Sequence, residues 1–277
     1  MLHATWNYLL KKCGGGLGVL TLSAVTASIL LTPISLYLIW QGFSFSWPMV
    51  GMIVGSGVLH MLYFLLLDRA YRSEGGSGDL SVVYPLARAT GPLITIVVAT
   101  LFFDETMSAI ALCGALLIGI SALTLMGNPR QLFSLQHSQG IGFALLCGCM
   151  IVSYTVWDKQ AVAVFLIPPI VFDWAANVSR VCMLTPYTRL REPSAMRRAW
   201  AEHPKSILAI GIMSPLSYIL VLTAMVTTPV SYVAPARELS ILFAALLGAH
   251  VLKEGDALRR TIAAIGMLLG VAALAIG

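Results

Sequence analysis

Nine apolar runs, each roughly the ~20 residues needed to cross a ~30 Å hydrocarbon core, divide this chain at 17-40, 48-67, 80-103, 108-126, 140-157, 164-185, 206-226, 230-252 and 258-276. Each ends at charged or Gly/Pro-containing turns. With 58% hydrophobic and 10% charged residues and a mean hydropathy of +0.87, a soluble fold would lack the polar surface to cover itself. The lipid bilayer is therefore the solvent, and the expected fold is an all-α, multi-pass membrane protein. Cys113, Cys147, Cys149 and Cys182 fall inside apolar runs and Cys13 stands alone beside a lysine pair, so the cysteines read as packing residues.

The chain also repeats itself. Ser81-Val82-Val83-Tyr84-Pro85-Leu86-Ala87-Arg88, running on to Asp104-Glu105, returns as Ser231-Tyr232-Val233-Ala234-Pro235-Ala236-Arg237, running on to Lys253-Glu254. Sixteen residues separate Arg from Glu in both copies. The expected organisation is a first repeat over 1-127, a connecting loop over 128-139 and a second repeat over 140-277. The second repeat holds five runs and the first only four plus a stub, in which Trp6-Asn7-Tyr8-Leu9-Leu10-Lys11 lines up with Tyr154-Thr155-Val156-Trp157-Asp158-Lys159. Ten helical residues reach about 15 Å, half a bilayer. The first span therefore reads as truncated, either because translation starts upstream of Met1, the preferred reading, or because this chain is a shortened form.

Counting the stub as span one, the odd-numbered loops carry 13 of the 17 Lys and Arg residues, the even-numbered loops only Lys159, and the spans Arg88, Arg180 and Arg237. The odd loops are thus expected in the cytoplasm. Five spans per half, an odd number, make the second copy enter from the opposite side, which gives a ten-helix inverted repeat of two five-helix halves.

His3-Ala4-Thr5-Trp6-Asn7 with Lys11, the run His60-Met61-Leu62-Tyr63-Phe64 leading to Ala70-Tyr71-Arg72, and the paired Ser-x(3)-Pro-x-(x)-Arg motifs together resemble the EamA-type branch of the drug/metabolite transporter superfamily. The resemblance implies ten spans, a central substrate path and alternating access, with substrates among amino acids, nucleosides, sugars, metabolites and drugs. Many members place the first-half loop that corresponds to 186-205 inside. Here that loop, Gln41 to Ser46, is uncharged, which implies insertion the opposite way up.

Charge at membrane depth costs a few kcal/mol and calls for a wet path or a partner. Arg88 and Arg237 each lie about 12–14 Å below their own surface, on opposite sides, where a planar guanidinium suits carboxylate or phosphate. They are the expected substrate contacts, with Tyr84, Tyr232, Tyr63 and Trp174 as aromatic neighbours; the bland alternative is that they lock helices together. Pro85 and Pro235 are candidate hinges. Asp173, seven residues before Arg180 on one helix face, is a candidate for proton coupling, as are His60 and Glu238. On a continuous helix Glu238 is turned about 100° from Arg237, toward a neighbouring helix.

No zinc-binding HExxH pair, nucleophile elbow, phosphate-binding loop or soluble catalytic domain is present in the sequence. The expectation is a secondary-active carrier in the bacterial plasma membrane, without catalytic residues, metal or cofactor and without nucleic acid as a partner. Its substrate is expected to be an organic anion or amino acid, and its driving force a coupling proton or an exchange substrate. The rival readings are a flippase for a phosphate-bearing lipid and a non-transporting partner or sensor subunit. Gly51-x(3)-Gly55 and Gly266-x(3)-Gly270 are compatible with a homodimer or with internal packing.

Overall fold

The computed structural model describes residues 1–72, 80–124, 138–240 and 257–277. Among the described residues every regular element is a helix: α1 (Leu2–Lys12), α2 (Leu17–Trp40), α3 (Trp47–Arg72), α4 (Leu80–Phe102), α5 (Ala109–Thr124), α6 (Ser138–Ala163), α7 (Pro169–Arg191), α8 (Ala195–Glu202), α9 (Pro204–Thr227), α10 (Val230–Arg237) and α11 (Ala257–Ile276). Helices are what such apolar runs must form, because hydrocarbon offers no water to the backbone and a helix satisfies its own N–H and C=O groups. Leu17–Trp40, Trp47–Leu66 and Pro204–Thr227 are long and apolar enough to cross a membrane, and Thr90–Phe102, Ala109–Thr124 and Thr261–Ile276 are shorter apolar helices.

The side chains are distributed as lipid demands. Ile29, Leu36, Val97, Ile120, Leu220 and Leu269 are exposed, whereas Thr21, Ser23, Ala24, Ala27, Ser28 and Ser35 of α2 are buried. Large apolar residues face outward and small or hydroxylic ones face neighbouring helices. Trp40 and Trp47, both exposed, flank the 41–46 turn as interfacial aromatics do.

The chain forms two compact units, one of Met1–Phe64 with Trp157–Thr227, the other of Leu65–Val156 with Thr228–Gly277. Each takes helices from both halves of the sequence. In the first, α2 packs on α7, α8 and α9, and α1 packs on α9; in the second, α5 packs on α11 and α4 on α10.

Three boundaries differ from the sequence expectation. α6 does not stop at Trp157 but continues to Ala163, because the Asp158-Lys159 pair that looked like a loop is accommodated within the unit. The stretch 186-205 is not a simple loop: α7 runs through Pro186 to Arg191 and α8 follows, its Ala195 and Ala199 buried and its Arg197 and Arg198 exposed. In the run 230-252, α10 covers Val230–Arg237, Glu238 is a single turn residue, and Leu239 and Ser240 are helical again. Pro235 has no N–H for the i−4 carbonyl, and the chain tightens there so that Glu238 N–H donates to the Pro235 carbonyl at 3.0 Å.

Close helix approaches rest on glycine. A Cβ on Gly114 would lie 2.6 Å from the Gly270 carbonyl oxygen, and one on Gly55 would lie 2.5 Å from the Trp157 ring. Gly266 and Gly270 likewise face α5, at Ser121 and Ile118, so three of the four spaced glycines pack within the chain; Gly51 faces open space. Gly114→Ala is therefore expected to lower stability in detergent by about 1–3 kcal/mol, because backbone rather than a movable side chain must shift. Gly51→Ala should be neutral or stabilising by up to about 1 kcal/mol. Equal unfolding midpoints for the two variants would refute this account of the α5–α11 crossing.

Candidate functional site

Asp158 lies at the centre of a polar cluster in the first unit, with 0% of its surface exposed. Tyr218, from α9, donates its hydroxyl to Asp158 Oδ2 at 2.5 Å. His60, from α3, brings Nε2 to 3.9 Å from the same oxygen, and its ring meets Tyr218 edge-on at 5.4 Å. The other ring nitrogen, Nδ1, stands 3.0 Å from the Ser56 carbonyl oxygen. Ser56 Oγ stands 3.3 Å from the same nitrogen, so Nδ1 meets both a carbonyl acceptor and a hydroxyl that can donate or accept. The cluster thus sets two titratable side chains, an imidazole and a buried carboxylate, beside each other.

Local packing fixes the three helices that supply this cluster. Trp157 Nε1 donates to the Met52 carbonyl at 2.8 Å, tying α6 to α3 at the Gly55 approach. Lys159 Nζ donates to the Met225 carbonyl at 2.6 Å, tying α6 to the last turn of α9, where carbonyls lack helical partners. Asp158 and Lys159 thus anchor neighbouring helices instead of terminating their own.

A second polar row runs along α7. Asn177 Nδ2 donates to Asp173 Oδ2 at 3.0 Å, and Asn177 Oδ1 accepts from an Arg180 terminal nitrogen. The i, i+4, i+7 spacing sets all three on one face. Asp173 and Arg180 do not touch; the amide of Asn177 spaces them. Asp173 and Asp158 are close enough to act on each other electrostatically. The Arg180 guanidinium lies over the Phe64 ring, 4.9 Å from its centroid.

The other sequence candidates separate into two groups. Tyr63 is buried beside Phe64, and Trp174 Nε1 donates to Thr32 Oγ1 at 3.0 Å, tying α7 to α2; both belong to the first unit. Arg237, Glu238, Tyr232 and Pro235 belong to the second. There Arg237 Nε sits 3.7 Å from Glu238 Oε1, with the guanidinium 5.9 Å from the Tyr154 ring centroid. Glu238 keeps right-handed helical dihedrals, φ −71° and ψ −11°, and its long side chain still reaches the Arg237 guanidinium across the turn between them. Tyr232 packs against the Ile96, Ala111, Ile118 and Leu274 cluster. The Arg88, Tyr84 and Pro85 side chains lie outside the described residues, as do Lys253 and Glu254.

Asp158, Asn177 and Tyr218 are the site residues that the sequence reading undervalued. Asp158 was hidden by its neighbour Lys159, which made the pair resemble a loop. A signal was nonetheless available: the Asp-Lys pair at 158-159 is followed by Gln160 and then the apolar run 161-167, with no Gly or Pro until Pro168. The repeated Glu also has a place. Glu105 of the first copy accepts from the backbone N–H groups of Val230 and Ser231 at 2.9 Å each, so one carboxylate caps the start of α10, where the second copy begins.

A family model described as the EamA-like transporter family matches residues 138–276, half of the chain. The chain belongs to this family. It is an integral membrane protein and a transporter, and the family gives no reason to look for an enzyme. Over 104 residues this transporter is 31% identical to the multidrug resistance protein mmr of Mycobacterium bovis and to Mmr of Mycobacterium tuberculosis. The match takes in 89% of each relative but 38% of this chain, so those relatives are less than half as long. A solved crystal structure superposes with a TM-score of 0.75 over 99% of this chain and 93% of its own, at 18% identity, which shows a shared fold.

Two measurements follow from the contacts. Tyr218→Phe removes the hydroxyl donor from buried Asp158 and should cost about 1.5–3 kcal/mol of stability, the range for a hydrogen bond to a charged group. Glu105→Ala removes both bonds at the α10 N-terminus and should cost about 0.5–2 kcal/mol, the range for a lost cap. An unfolding midpoint unchanged in either variant would refute the corresponding bond.

Proposed function

We propose that this protein is a proton-coupled secondary transporter of a small organic metabolite bearing a cationic group, working by alternating access of two inverted five-helix repeats. The observation that carries the reading is the Asp158–His60 pair, a buried carboxylate 3.9 Å from an imidazole nitrogen, two groups that between them can take up and release a proton. A proton held there at membrane depth is released or replaced when a cation or an ammonium group approaches Asp158. The same unit holds Asp173, spaced from Arg180 by the Asn177 amide. Buried acids such as Asp158 and Asp173 favour a ligand that brings positive charge.

The repeat reading is supported by which helices meet. Counted by the stub convention, α2 and α7 are the second span of each half, α4 and α10 the fourth, and α5 and α11 the fifth, and each of these pairs is in contact. A two-fold relation between halves pairs equivalent spans in this way. Arg237, an expected contact for an organic anion or amino acid, lies in the second unit with Glu238 Oε1 3.7 Å from its Nε; the contacts proposed here lie in the first. A second reading, a role in multidrug resistance, is favoured by the likeness to two proteins named for it.

The test is transport by the purified protein in liposomes loaded with a pH-sensitive dye, challenged in turn with pooled amines, amino acids, organic acids and lipophilic cations. An internal pH change on addition of an amine- or amino-acid-containing pool, reduced to background in Asp158→Asn, is the expected outcome. Transport by Asp158→Asn and His60→Gln that still responds to an imposed pH gradient would overturn proton coupling through this pair.

A further inference from the structure

We infer that Arg180, with Asn177, forms a carboxylate-binding subsite, so that the ligand of the first-unit cluster is a zwitterion whose carboxylate docks on Arg180 and whose ammonium faces the Asp158 and Asp173 side. This rests on reading that cluster as the substrate site. Three observations carry it. Arg180 Nε is buried and makes no hydrogen bond among the described residues, which leaves a donor on the edge of the fork that a carboxylate would occupy. Burying a guanidinium N–H without an acceptor is costly, so the site is incomplete as it stands.

The second observation is the spacer. A direct Asp173–Arg180 ion pair would neutralise both charges, but the Asn177 amide donates to one and accepts from the other. It holds a negative and a positive group apart along one helix face, two turns of α7 or about 10 Å between their Cα atoms. That arrangement is complementary to a molecule carrying one charge of each sign. Thirdly, the guanidinium carbon lies over the Phe64 ring, 4.9 Å from its centroid, so a carboxylate would meet the group at the unpartnered Nε rather than across that face. Ser179, next in the chain, is pinned by the α3–α7 approach, where a Cβ on Gly57 would lie 2.7 Å from Ser179 Oγ, so the backbone that presents Arg180 is held in place.

The experiment is titration of the purified protein in detergent with L-amino acids, their carboxamides and the corresponding amines, read by thermal stabilisation and calorimetry. An amino acid should bind better than its carboxamide. Arg180→Lys keeps the charge beside Asp173 but loses the planar fork, and should reduce that acid-over-amide preference about tenfold, on the scale of one charge-assisted hydrogen bond. A double variant, Asp173→Asn with Arg180→Met, removes both charges together and should abolish the preference without leaving an unpaired charge. Equal binding of acid and carboxamide by the wild type, no binding of any amino acid, or equal weakening of both ligands in Arg180→Lys would overturn the subsite. Proton-coupled movement of an amine lacking a carboxylate, lost in Asp158→Asn, would leave the transporter reading standing while this inference failed. Acid binding that depends on Arg180 but moves no protons would do the reverse.

Discussion

Inside a bilayer a polar side chain has no water to turn to, and every charge in this protein's helices must be answered by another group of the chain or by a ligand. Asp158 is where that constraint acts most strongly. Its carboxylate is fully buried on α6, and its answer comes from two other helices, the Tyr218 hydroxyl of α9 and the His60 ring of α3. The contact therefore does more than satisfy one acid. It fixes the rotation of three helices, and the adjacent Trp157 and Lys159 fix their depth by binding the Met52 and Met225 carbonyls.

The same constraint explains the pairing of stiffness with chemistry in the first unit. α3 approaches α6 at Gly55 and α7 at Gly57, one to two turns before His60, and neither position tolerates a methyl group without displacement of Trp157 or Ser179. Close backbones bring short polar side chains within bonding distance. In the second unit Gly114 meets Gly270 backbone to backbone, an approach that carries no ionisable group. Among the described charged residues of that unit, Glu105 caps the start of α10 and Arg237 meets Glu238 at its end.

A proline inside a helix and a side-chain-capped helix start are both places where the backbone's own hydrogen bonding is incomplete. α10 has both within eight residues. The His60–Asp158–Tyr218 cluster and the α7 row, by contrast, lie within α3, α6, α7 and α9. Helical presentation holds a carboxylate against its partners, because a loose one would rotate to find another.

Hydropathy, length and charge bias carried the all-helical membrane class, because bilayer thickness and backbone satisfaction act on any apolar run regardless of what it packs against. The repeated Ser-Pro-Arg-Glu order was equally legible, and so were His60, Asp173 and Arg180 as charges that require a partner. What could not be read was which partner. Asp158 looked like a loop residue because a neighbouring lysine ends an apolar run in sequence, while in space that lysine reaches the carbonyls of another helix. Glu238 follows Arg237 directly, and helical spacing alone does not show that its long side chain brings a carboxylate oxygen to 3.7 Å from Arg237 Nε. Tyr218 meets Asp158 from 60 residues away and His60 from 98. Sequence fixes what a residue can donate, accept or carry; only the tertiary structure decides who stands opposite, since hydrogen bonds and charge pairs depend on ångström distances between helices that local periodicity does not encode.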